Sequence, residues 1–343
     1  GKCVFCPTQP GMPKSYFSTQ PAMMRAVRNH FDAYSQVKAR LNGLFAQGHD
    51  TTKIDIRTAG GTWSAYSRDY QEEFVKGIFY ALNEGVGEMK PIKEVEEILK
   101  KCTLEELLKE NASAGDSDHV IRIGRGAGEN ASRARSRCVG LWVETRPDWV
   151  DIEELQNLRR MGVTGIELGI QTTDDRVNEL CKRGHGVKES IRATELCRNV
   201  GLKVCHHIMP NLPFSTLESD LQTVRDLFEK GELNPDYLKI YPCMVLPYTE
   251  LKEMYEKDSS IYKPYSDEEL IEILTEIKKH VPEYCRIIRL LRGFPSEIVL
   301  HGSKLLNVRQ ILRNRGVTCR CIRCREIKDE KFVAKEVELV ERR

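Results

Sequence analysis

The chain has 343 residues, of which 53 are basic and 51 acidic, giving a formal charge of +2, and 40% are apolar. That length supports one large domain or two ordinary ones around a sizeable core, and the near-neutral balance does not by itself mark a nucleic-acid binder. No apolar run is long enough to cross a membrane, and no basic segment leads into an apolar stretch as a signal peptide would.

The chain opens with GKCVFCPTQPG, which places Cys3 and Cys6 at C-x-x-C spacing. Spacing alone leaves three readings: a redox pair, half of a zinc knuckle, or two of the three thiolates of an iron–sulfur cluster. The redox reading is disfavoured because no strand precedes the pair and Pro7 follows it instead of lying between the thiols. From Thr19 to Gln47 apolar residues recur at helical spacing (Met24, Val27, Phe31, Val37, Leu41, Leu44), which predicts one or two helices. KIDIRTAGGTW reads as a strand ending in Gly60, Gly61 and Thr62, where glycines let backbone approach a ligand closely. Tyr70 to Leu82 is helical again. Residues 85–137 read as a charged insertion or mobile loop with one short helix around Val95 to Leu108, closing in AGENASRARSR.

A regular alternation follows. RCVGLWVETRPD, TGIELGIQTTD, LKVCHHIMPNLP and DYLKIYPCMV read as strands, each followed by a helical segment. Strands alternating with helices predict βαβ units and a parallel sheet. Polar residues gather where the strands end: Glu144 and Arg146, Glu167 and Gln171, His206 and His207, Lys239 and Tyr241. In a β/α barrel that end is the catalytic face. Five strands are too few for an eight-stranded barrel. A sixth ahead of Gly1 gives the expected fold class, α/β with a partial (β/α)6 barrel over 1–280, joined to a small zinc-linked segment over 281–343.

Twelve cysteines are many for such a chain. Cys181, Cys197, Cys205 and Cys243 are scattered singly, while Cys3/Cys6 and Cys319/Cys321/Cys324 form clusters, which reads as metal or redox chemistry in an intracellular chain and not as a secreted disulfide framework. CRCIRCRE brings three thiols within six residues. One more ligand completes a structural zinc site, with Cys285, in the predicted strand PEYCRIIRLLR, the first choice, His301 the second and His280 the third.

The segments CVFCP, YFSTQPAMMRAVRNHFDAY, GHDTTKIDIRTAGGTW, RCVGLWVETRPDW, GIELGIQT, KRGH, LKVCHHIMPNLP and DYLKIYP resemble the catalytic third subunit of Elongator and its archaeal and bacterial relatives, over nearly the whole chain to about Arg325. The family's C-x9-C-x2-C motif is matched by Cys3 and Cys6, and its first cysteine falls ahead of Gly1. The resemblance implies a radical S-adenosylmethionine barrel with a four-iron–four-sulfur cluster, paired with an acetyltransferase domain of the same protein. Together they carry acetyl-CoA to carbon 5 of the tRNA wobble uridine, on the way to a carboxymethyl group. A 5′-deoxyadenosyl radical would abstract hydrogen from the acetyl methyl. Lys53 matches a family lysine associated with acetyl-CoA, and His207 a family histidine. Gly60, Gly61, Thr62, Glu144, Arg146, Glu167 and Gln171 become candidates for holding S-adenosylmethionine, and Lys239 and Tyr241 for the substrate pocket. The family's R-D-I-P block stands here as Arg292-Gly293-Phe294-Pro295, and the aspartate of its M-P-D-L-P block as Asn211.

On this reading the partners are a tRNA anticodon stem-loop and either a homodimer or an Elongator-like assembly, in the cytoplasm and away from membranes. Lys304, Arg309, Arg313, Arg315, Arg320, Arg323, Arg325 and Lys328, with the stripe Arg286, Arg289 and Arg292, offer a surface for phosphates. Two alternatives stay open: a radical enzyme acting on another substrate, of tetrapyrrole or methylthiotransfer type, and a non-catalytic scaffold that holds tRNA.

Overall fold

Residues 2–113 and 136–327, with positions 333, 335, 337 and 338, are described by a computed structural model. Six strands form one parallel sheet in the order β1 to β6: Lys53–Arg57, Arg137–Thr145, Gly165–Gln171, Lys203–Ile208, Tyr237–Ile240 and Arg286–Arg289. The count of five is thereby corrected. Arg286–Arg289, read from sequence as part of the zinc-linked segment, pairs with β5 and makes the sixth strand. Two helices precede β1, α1 (Pro21–Arg28) and α2 (Ala33–Ala46), followed by α3 (Arg68–Glu84), α4 (Ile92–Leu99) and α5 (Leu104–Ser113). The first part of the expected insertion is therefore two helices and not one, and of the AGENASRARSR stretch only Ser136 and Arg137 are among the described residues, Arg137 opening β2. After β2 come α6 (Ile152–Arg160), α7 (Asp175–Leu180), α8 (Val187–Asn199), α9 (Leu217–Glu229), α10 (Glu250–Lys257), α11 (Asp267–His280) and α12 (Val308–Asn314).

Helix starts follow the local chemistry of the sequence. Asp151, Asp174 and Ser266 each accept a backbone N–H of the first turn of α6, α7 and α11, which supplies donors that a helix end otherwise leaves unpaired. No helix among the described residues is long and apolar enough to cross a membrane.

Alternation along the strands decides the inside of the barrel. Leu141 and Val143, Ile166, Leu168 and Ile170, Val204 and Ile208, Leu238 and Ile240 share one face of the sheet. They are buried with helix residues such as Leu155, Leu158, Ala193, Val224, Leu227 and Leu274 in the main core. Each such fully buried aliphatic chain contributes about 1.5–3 kcal/mol. The opposite face therefore carries Asp55, Arg57, Trp142, Glu144, Glu167, Cys205, His207, Tyr237 and Lys239. The sheet is oily beneath its helices and polar within its curve. The same core takes in Cys285, Val308, Leu312 and Cys321, so a division at residue 280 meets no gap in the packing.

One turn explains a departure from the family pattern. Asn211 has φ of 61°, a conformation that asparagine tolerates. Its Oδ1 accepts from the Tyr262 hydroxyl (3.0 Å) and the Tyr265 N–H (2.8 Å), while its Nδ2 donates to the Lys263 carbonyl (3.1 Å). An aspartate there has no proton to donate and would face Asp220, which accepts the Asn211 N–H at 2.6 Å and the Tyr265 hydroxyl at 2.9 Å. Burial pushes the Asp220 carboxyl up to about 6. An unfolded aspartate titrates near ~3.9, so the folded state keeps its proton to higher pH. Stability from this group is present below about pH 4 and falls by about 3 kcal/mol as pH rises through about 6. Asp220→Asn should abolish that slope. Denaturant titrations of the two proteins at about pH 4 and about pH 7 test this, and an identical pH dependence would contradict it.

Candidate functional site

The polar face converges on Glu167, a buried carboxylate on β3. Its Oε1 accepts from Arg57 Nη1 of β1 at 2.7 Å, and its Oε2 lies 2.9 Å from His207 Nε2 of β4. Lys239 Nζ of β5 also donates to that second oxygen. Four strands, β1, β3, β4 and β5, thus each place one ionisable side chain at a single point. Burial acts to raise the Glu167 carboxyl, but His207 and Lys239 outweigh it and hold the group well below the usual range. For Lys239, burial opposes the charge and the carboxylate beside it prevails, so its ammonium is raised.

Beneath this knot lies an aromatic floor. Arg57 stacks 4.1 Å over the indole of Trp142, whose Nε1 donates to Asp55 at 2.8 Å, and Tyr237 meets that indole edge-on at 4.9 Å. Gly165 provides the space for the ring: a β-carbon there would lie 2.3 Å from it. Above the knot, Glu144 faces His207 Nδ1 at 3.7 Å and accepts the Tyr16 hydroxyl at 3.2 Å. Tyr241 packs edge-on against His207 at 5.5 Å. Arg292 lies over the Tyr16 ring at 4.7 Å and donates to the Ser15 carbonyl.

A cavity of about 710 Å³ opens here. Its walls include Cys6, Glu144, Glu167, Gln171, His207, Lys239 and Tyr241, together with Arg57, Tyr16 and Arg292. Six residues singled out from sequence thus share one space with a cysteine of the opening loop. Gln171 adopts φ of 73° at the end of β3, and its Oε1 is buried with no hydrogen-bond partner among the described residues. Such strain at a strand end re-aims a side chain.

Cys3 and Cys6 belong to the same loop, with the Cys6 N–H donating to the Cys3 carbonyl at 3.1 Å. The neighbouring Cys6 thiol and the Arg183 guanidinium, 3.2 Å from the sulfur, pull the Cys3 thiol down to about 5; the partner thiol, Cys6, is pushed up. The guanidinium therefore favours the thiolate form of Cys3, the form a metal requires.

Other expected residues fall elsewhere. Gly61 approaches the Lys14 carbonyl, 3.2 Å from where a β-carbon would sit, so the Gly60–Thr62 turn packs on the cysteine loop beside the cavity rim at Thr58 and Ala59. Arg146 is forked on Asp148 (2.8 Å twice) and lines a second cavity of about 670 Å³ with Arg183 and His185. Lys53 is exposed at the far end of β1 from Arg57. His206 is fully buried under α8, 3.1 Å from Thr194 Oγ1.

At the carboxyl end, the sulfurs of Cys319, Cys321 and Cys324 lie within 4.8 Å of one another. Cys285 adjoins them, its carbonyl accepting the Ile322 N–H at 3.1 Å, although its sulfur is not within that close group. His301 is engaged elsewhere: it bridges Val245 and stacks on Tyr255 at 4.5 Å.

Arg57, Tyr16 and Arg183 are not among the residues the sequence singles out, and Arg292, expected on a phosphate-binding surface, lines the cavity instead. Arg57 had a usable signal, since it shares the strand face of Asp55 and continues the row of polar strand ends. The other three come from loops whose placement no periodicity announces.

The description "Radical SAM superfamily" matches residues 83–227 and "Radical_SAM C-terminal domain" residues 235–315. The chain is 38% identical to the tRNA uridine(34) acetyltransferase of Methanocaldococcus jannaschii, across 95% of this chain and 56% of that protein. It is 30% identical to Elongator complex protein 3 of Homo sapiens, across 99% of this chain and 58% of that one. Among solved structures it is similar to the archaeal Elp3 of Methanocaldococcus infernus, at 35% identity and a TM-score of 0.73, over 88% of this chain and 63% of that one. The chain spans little more than half the length of these curated relatives.

Proposed function

The chain belongs to the radical S-adenosylmethionine superfamily, in the family of the tRNA uridine(34) acetyltransferases and Elongator complex protein 3, and from that premise we propose that it is the radical half of an enzyme building a carboxymethyl group on carbon 5 of the tRNA wobble uridine. Acetyl-CoA is the carbon donor, and an acetyltransferase domain of the same protein loads it. The enzyme works in the cytoplasm on the anticodon stem-loop, as a dimer or within an Elongator-like assembly. One observation carries the reading: a cysteine of the opening loop and the polar strand ends line the same cavity.

Cys3 and Cys6 fit two of the three thiolate positions of a four-iron–four-sulfur cluster, Cys3 being held as a thiolate beside a guanidinium. When bound, such a cluster supplies the electron that cleaves S-adenosylmethionine. The remaining work falls to side chains. The unpartnered Gln171 Oε1 and the Glu144 carboxylate accept ribose hydroxyls, and the Gly60–Thr62 turn offers carbonyls to the ammonium. Tyr241, steadied by His207, gives the base a ring to lie against. Lys239 and Arg57 hold Glu167 fixed beneath them, and so keep the His207 ring in one orientation. Cys319, Cys321 and Cys324, with Cys285 as fourth ligand after a small shift of its side chain, form a structural zinc knuckle. Lys53, exposed at the far end of β1 from this mouth, meets acetyl-CoA from the side of the acetyltransferase domain.

The test is anaerobic reconstitution of the protein extended upstream to include the family's first cysteine. Iron and sulfide should each bind at about four per chain, and Cys3→Ser or Cys6→Ser should remove the visible absorbance of the cluster. Undiminished absorbance in either variant would reject the assignment.

A further inference from the structure

Much of the basic surface near the carboxyl end is engaged within the fold. Arg286 pairs with Glu326 and Arg315 with Glu268, while Arg309 and Arg325 donate to backbone carbonyls. Positive charge without such partners lies elsewhere, between α1 and α2. A groove of about 340 Å³ is lined there by Pro21, Met24, Arg25, Arg28, Arg40 and Gly43, among others. Arg25 and Arg28 stand three apart and so share a helix face. Among the described residues none of the three guanidiniums has a carboxylate partner. The nearest acid in sequence, Asp32, is turned to the start of α2, where it accepts the Ser35 N–H at 2.7 Å. Burial, and then the charge of Arg40, make Arg25 a weaker base than usual, as expected of two guanidiniums that repel each other. Arg25 and Pro21 also line the main cavity, so the groove adjoins it.

We propose that this groove is a binding site for the phosphodiester backbone of RNA, in which Arg25, Arg28 and Arg40 grip the phosphates flanking a nucleotide whose base occupies the main cavity. The inference rests on the RNA-substrate reading above. A guanidinium fork matches two phosphate oxygens, and a bound phosphate would relieve the mutual repulsion. The three cations run from the cavity wall outward along two helices, as an entering strand requires. Met24, half exposed among them, gives a sugar or a base an apolar surface.

The experiment is a fluorescence-anisotropy titration of an anticodon stem-loop RNA with the 343-residue chain across a salt series. Arg28→Ala/Arg40→Ala, two exposed positions, should leave the melting temperature unchanged. It should weaken binding about tenfold and flatten the slope of log K against log salt by about 1.4, the value for two contacts on a single strand. Arg28→Lys/Arg40→Lys should keep most of the slope. An unaltered slope and affinity in the alanine variant, with the parent chain still binding, would overturn the groove and leave the proposed activity standing. Failure of the parent chain to bind this RNA at all would overturn both.

Discussion

Glu167→Ala is expected to destabilise the protein by about 3–5 kcal/mol and to reduce turnover about 10²-fold or more. The carboxylate balances Lys239 and Arg57 at a buried point and holds His207 Nε2. Removing it leaves an ammonium in the interior with no counter-charge, and lets the His207 ring rotate away from Glu144 and Tyr241. The sign with pH follows from the depressed carboxyl. Its contribution is present above the unfolded value near ~4.3 and disappears only as pH falls through the lower folded value, so the variant should lose most at neutral pH and least in acid. Glu167→Gln separates charge from hydrogen bonding, since an amide can still face His207 but cannot neutralise Lys239. Chemical denaturation of both variants decides the matter. Glutamine as stable as glutamate would show that the ion pairs do not hold the knot together.

Gly165→Ala should cost about 1–3 kcal/mol, or more, although it adds a single carbon. That carbon would lie 2.3–2.5 Å from three atoms of the Trp142 ring. The indole has nowhere to retreat: its nitrogen is tied to Asp55, Tyr237 closes one edge, and Arg57 rests on its face. Either β3 shifts or the ring tips, and tipping unseats the arginine that holds Glu167. Trp142→Phe in the same background, being smaller, should restore part of the stability. Strictly additive losses would mean that the two residues do not collide.

The alternation of strands and helices was legible because a parallel sheet under helices demands apolar residues at every second position, and LWVET, IELGI and KVCHHI supply them. The gathering of Glu144, Glu167, Gln171, His207, Lys239 and Tyr241 was legible for the same reason. All but Glu167, the third residue of β3, lie near or just past the carboxyl end of a strand, and register carries such residues to a common mouth. What periodicity cannot encode was missed. PEYCRIIRLLR reads as a strand on its own residues, but it sits among arginines beside the cysteine cluster, so it falls to the zinc-linked segment and out of the barrel count. Arg146 stands at a strand end like its neighbours, yet Asp148 two residues later draws it outward, a local ion pair that register does not foresee. Tyr16 and Arg292 reach the cavity from segments 276 positions apart in sequence, where only the folded chain reveals the meeting.

That last meeting bears on how the protein is made. Arg292 donates to the Ser15 carbonyl and Phe294 meets Phe17 edge-on, so the roof of the mouth is a clasp between the first and last parts of the barrel. A nascent chain on the ribosome can lay down strand after strand next to its predecessor. The opening loop meets Cys181 and Leu251 first and is roofed only when Phe294 emerges, and closing so long a loop is the slow, entropically costly step. Its Cys3 thiol stays uncovered at least until Arg183 and Cys181 are made, which makes that interval both the opportunity for loading metal and the period of greatest exposure to oxygen.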